Sequence, residues 1–82
     1  MCLGIPGQIV DIADADKHCG RVEIAGSTRH VYLGLLAPEA VQIGTWVLVN
    51  AGLAIHLLQA DEASQLLHFM QALDQQYEEA QT

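Results

Sequence analysis

A chain of 82 residues with 51% apolar side chains has the length for one small domain and too much apolar surface to stay disordered. Ten acidic residues against three basic ones, Lys17, Arg21 and Arg29, give a formal charge of −7. Phosphate backbones and anionic bilayers repel such a chain, which excludes nucleic acid and membrane surfaces as partners. No apolar run approaches the ~20 residues of a membrane-spanning helix. The first residues also lack the basic and apolar segments of a secretion signal. A cytoplasmic location is therefore expected, with Cys2 and Cys19 kept as thiols.

The chain opens Met1-Cys2-Leu3-Gly4-Ile5-Pro6-Gly7-Gln8. A side chain as small as that of Cys2 is compatible with removal of Met1, which would leave a thiol and an α-amine on adjacent carbons. They titrate near ~8.5 and ~8, so either serves as nucleophile or ligand near neutral pH. Gly4, Pro6 and Gly7 are expected to form a stiff loop that presents the cysteine. A first strand is expected over 7–13 and a hairpin turn over 14–18. Polar and apolar residues alternate over 21–24, giving a second strand, and Gly26 supplies a positive φ in the turn that follows. A third strand covers 28–36, with Val31, Leu33 and Leu35 on one face. Trp46-Val47-Leu48-Val49 forms a fourth strand and residues 53–58 a fifth, divided by Gly52. Trp46, as the one tryptophan, is the expected packing centre of the core.

After Gln59 the period changes. Ala63, Leu66, Leu67, Met70, Leu73 and Tyr77 recur at three- and four-residue steps, the pattern of one helix face over 61–79. Asp61 is the expected N-cap and the tail from Glu78 is expected to fray. Five short strands and a closing helix predict a mainly β fold: a small OB-like five-stranded barrel over 1–58, with the helix capping one barrel end or lying on an outer face, all in a single domain.

The residues offer no catalytic constellation: no Gly-x-Ser-x-Gly, P-loop or metalloprotease helix, and no general base beside Cys2. The chain is expected not to be an enzyme. No Cys-x-x-Cys or His-x-x-x-His spacing suggests a closed zinc site. His18 and Cys19 are adjacent and so point to opposite faces of a strand. His30 and His68 are expected to face solvent, and His56 to be half-buried in an apolar strand.

Two segments together, Met1 to Gln8 and Gly44-Thr45-Trp46-Val47-Leu48-Val49-Asn50-Ala51-Gly52-Leu53-Ala54, resemble the two signatures of the hydrogenase assembly chaperones, the HypC/HupF/HybG family. The resemblance implies an OB-like barrel with a C-terminal helix and a role in maturing [NiFe] hydrogenases. There an Fe(CN)2CO unit is assembled and delivered to the large-subunit precursor, with HypD and that precursor as partners. It further implies that Cys2 is the residue that meets iron or docks partners, and that no cofactor is tightly held, the iron unit being transient cargo. Trp46, Asn50 and Gly52 of the second signature become candidates for docking. Asn50 stands where the family has histidine. An amide is a poor ligand for iron yet still donates and accepts hydrogen bonds, and His56 replaces the imidazole if it faces the same side. The alternative is a structural adaptor that bridges maturation proteins through apolar surface and never touches iron.

Overall fold

Alternation of inward β-branched residues with outward polar ones converts most of the first fifty-eight residues into sheet. The computed structural model of the protein describes residues 4–13 and 18–81, with side chains as far as Leu73. Cys2 and residues 14–17 of the turn expected over 14–18 lie outside the described residues, as does the side chain of Tyr77. The strands are β1 (Ile5–Ile12), β2 (Cys19–Ile24), β3 (Ser27–Tyr32), β4 (Trp46–Asn50) and β5 (Leu53–Leu58). They close into a barrel in the order β1-β2-β3-β5-β4. Neighbours are antiparallel except β3 and β5, which run parallel and meet at Tyr32 and Leu53. This is the expected mainly β, OB-like barrel followed by one helix.

The interior is filled by Ile9, Val22, Val31, Leu33, Val41 and Val47, each at most 3% exposed. Trp46 is not among them; it is half-buried. Val47 and Val49 face inward, so the two-residue period turns Trp46, Leu48 and Asn50 onto the outer face of β4. A five-strand interior takes compact branched side chains, and the indole has no place in it. The third strand is also shorter than expected. It ends at Tyr32, and Leu35, expected on the inner face, is 61% exposed in the connection that follows.

Two hairpins close through two-residue loops in which both residues have positive φ. Ala25 (51°) and Gly26 (85°) join β2 to β3, and Ala51 (53°) and Gly52 (80°) join β4 to β5. Such turns match the twist of the flanking strands. Alanine in the left-handed region costs about 1–2 kcal/mol, much of which asparagine avoids. Ala25→Asn is therefore expected to stabilise the fold by about 1 kcal/mol, read as a rise in melting temperature of about 4–8 °C. A lower melting temperature would contradict this turn geometry.

One helix, α1 (Ala60–Gln81), follows β5, so the tail expected to fray from Glu78 remains helical. The cap also differs from expectation. Ala63 N–H donates to the Gln59 carbonyl, and Gln59 N–H donates to a Glu62 carboxylate oxygen at 3.0 Å. Gln59 thus holds the cap position, with Glu62 closing back on it as in a capping box, and Asp61 sits inside the first turn. The helix packs against β1 and β4. Pro6 is fully buried and lies directly opposite Leu48 on the outer face of β4, which puts α1 on the side of the barrel.

Candidate functional site

The first strand begins at Ile5, two residues earlier than expected, so Pro6 and Gly7 belong to the sheet rather than to a loop. Pro6 sits where β1 pairs with β4 alone, because pairing with β2 starts at Gln8. A strand accepts a residue without an N–H along such an unpaired edge. At Gly7 a Cβ would stand 2.4 Å from Val22 Cγ1 and 2.9 Å from Ile24 Cγ1, so the position admits no side chain. At Gly4 a Cβ would meet Leu48 Cγ at 2.5 Å. Gly4 is therefore laid tightly against the outer face of β4.

Gly4 also lines an apolar groove of about 210 Å³ together with Leu48 from β4 and Leu66, Phe69, Met70 and Leu73 from α1. Phe69 is 59% and Leu73 49% exposed; the helix stripe both packs on the barrel and leaves apolar surface open. The helix period signals Leu66, Met70 and Leu73. Phe69 falls beside that stripe, and nothing in the sequence brings it together with Leu48.

The second-signature residues divide between the two ends of β4. Trp46 lies opposite Gln8 and Leu58, about 13 Å along the strand from Asn50. Asn50 lies just beyond Val49, the last partner of β1, and so belongs to the Gly4 end. Gly52 serves the fold, since its φ of 80° closes the β4–β5 turn and its carbonyl accepts the Tyr32 N–H at 2.9 Å.

The expectation of a half-buried His56 is overturned, since its side chain is exposed. The cause is an irregular register. Trp46↔Leu58, Val47↔Leu57 and Leu48↔His56 share one register, whereas Val49↔Ala54 and Asn50↔Leu53 are offset by one. Ile55 is thus an extra residue in β5. Ala54 is fully buried, and strict alternation would turn His56 inward with it; the bulge instead turns it outward, onto the face of Leu48 and Asn50. His30 and His68 are exposed as expected. His18 is exposed with its ring 6.4 Å from that of Tyr32. Among the described residues, no group of three or more His, Cys, Asp or Glu is placed to hold a metal ion. No described helix is long and apolar enough to cross a membrane.

Comparison with known proteins agrees with this arrangement. The model of the HupF/HypC family matches residues 1–70, from the cysteine segment through the barrel into α1. The hydrogenase maturation factor HybG of Escherichia coli K12 is 33% identical over 76 residues, 90% of this chain and 93% of that protein. The hydrogenase maturation factor HypC of Rhodobacter capsulatus is 35% identical over 80 residues, 95% of this chain and 83% of that protein. The Frd operon uncharacterized protein C of Proteus vulgaris is 36% identical over 76 residues, covering 89% and 78%. With a match that spans the barrel, the Gly4 contact and most of the groove, the chain belongs to the HupF/HypC family.

Proposed function

We propose that this protein is a cytoplasmic hydrogenase maturation chaperone that helps to assemble an Fe(CN)2CO unit with HypD and deliver it to the large-subunit precursor of a [NiFe] hydrogenase. Cys2 is the residue that meets the iron. The observation that carries the reading is the family match over residues 1–70, which includes the Cys2 segment. Relatives at 33% and 35% identity bear the name of hydrogenase maturation factors.

The chemistry supports it. A thiolate suits an iron(II) centre already bearing strong-field ligands. Passing the unit on is a ligand substitution: an iron–sulfur bond to Cys2 forms as a bond to the previous donor breaks, and no electron is transferred. The protein binds and hands over, with no catalytic step of its own. Packing of Gly4 on Leu48 anchors the base of the segment that carries the cysteine, which lowers the entropy lost when a partner takes it up.

A second reading, an adaptor that joins maturation proteins without touching iron, draws on the open apolar surface of Phe69 and Leu73. Pull-down with HypD and with the large-subunit precursor separates the two. The iron-handling reading expects capture of both by the native chain and a sharp loss with Cys2→Ala. Undiminished capture of both, with normal hydrogenase maturation, would leave the adaptor.

A further inference from the structure

The barrel closes unevenly. β3 pairs with β2 along its whole length but meets β5 at one position, Tyr32 opposite Leu53. There the Tyr32 N–H points away from β2 and donates to the Gly52 carbonyl at 2.9 Å. Antiparallel pairing alternates the direction of backbone groups along a strand, so Thr28 and His30 also aim their N–H and C=O away from β2. Among the described residues these groups have no strand or other backbone partner. The side chains agree. Ser27, Thr28, Arg29 and His30 are all exposed, where strict alternation would bury every second one. This end of the β2–β3 hairpin therefore stands clear of the barrel. The helix does not cover it, since α1 packs on β1 and β4, neither of which adjoins β3.

A row of unpaired backbone groups is a template for another extended segment, and charge selects which one. The chain has three basic residues against ten acidic ones, and Arg21 and Arg29 both lie on this hairpin. Arg21 is opposite His30, and Arg29 is opposite Val22, so the two guanidinium groups belong to opposite faces. Neither makes an ion pair with a described residue. The acids in register with this face, Asp11 and Glu23, sit on β1 and β2, set back from the edge that Arg29 and His30 form. A second copy is a poor occupant, because β3 against β3 would set Arg29 beside its own counterpart, and like charges there oppose pairing. We propose that the free edge of β3 takes an extended acidic segment of a partner protein as an added strand. Main-chain bonds to Thr28 and His30 hold it, and Arg21, Arg29 and His30 select its carboxylates. The proposal goes beyond iron handling and does not rest on it.

The probe is a short end-blocked peptide in which threonine and glutamate alternate, with a threonine–lysine peptide as control, each titrated into the full chain. The Thr28 and His30 amide protons are expected to exchange more slowly with solvent when the glutamate peptide is bound. Those of Arg29 and Val31, which point toward β2, should change little. Thr28→Pro removes an N–H that β2 does not use, so the edge accepts it; the melting temperature should hold while binding weakens about tenfold with the lost bond. Arg29→Glu, at an exposed position, is expected to lose the glutamate peptide and to take the lysine peptide instead. No binding at millimolar peptide, equal binding of the two peptides by the native chain, or binding that leaves exchange at Thr28 and His30 unchanged would overturn the proposal.

Discussion

Gly7→Ala is expected to lower the stability of the barrel by about 2 kcal/mol, although alanine is the better strand residue. Alanine in place of a strand glycine gains about 0.5–1 kcal/mol. Against this, the added methyl would lie 2.4 Å from Val22 Cγ1, 2.9 Å from Ile24 Cγ1 and 3.2 Å from the Glu23 carbonyl oxygen. Val22 is fully buried and has nowhere to move, and overpacking of a filled core costs about 1–3 kcal/mol. The clash is with a branched buried side chain and with backbone, so the upper end applies and packing outweighs propensity. With a urea dependence of about 1 kcal/mol per molar for a chain this small, the unfolding midpoint should fall by about 2 M. An unchanged or higher midpoint would mean that β1 and β2 are not packed as described.

Cys2→Ala is expected to have the largest effect on function while leaving the fold intact. The residue precedes β1 in the chain and the core cluster is built from residues between Ile9 and Ala54, so thermal and urea unfolding should match the native chain within about 0.5 kcal/mol, the usual range for substitutions away from the core. In cells lacking the native chain, hydrogenase activity supported by the variant should drop to background. Disturbing an outer-shell partner of a metal already costs 10–100-fold, and removal of the thiolate itself should cost more than about 100-fold. A folded variant that still matured hydrogenase at the native level would remove Cys2 from the mechanism.

The fold was legible where pattern and physics agree. Alternating Val31, Leu33, Val47 and Val49 point into the barrel because a period of two puts them on one face. The helix stripe is likewise readable from its three- and four-residue steps. Trp46 misled because size suggested a core position, while the alternation fixed by Val47 and Val49 sends it outward. His56 misled for the opposite reason: alternation from Ala54 predicts the interior, and a bulge at Ile55 reverses it. A bulge leaves no mark in the pattern of apolar residues. Pro6 and Gly7 read as a loop because both discourage strands in general. Their local circumstances, an unpaired edge for Pro6 and a crowded interior for Gly7, exist only once the barrel has closed. The groove was half legible: the helix residues show in the period, whereas Leu48 and Gly4 join them through the packing of α1 on β1 and β4.

Infrared spectroscopy of the anaerobically purified complex of this chain with HypD tests the central claim most directly, because cyanide and carbonyl ligands on iron absorb where protein does not. Cyanide and carbonyl stretching bands should accompany the native chain and be lost with Cys2→Ala while the protein stays folded. Their absence from every preparation of a native chain that supports hydrogenase maturation, or their persistence at full intensity in Cys2→Ala, would contradict the account.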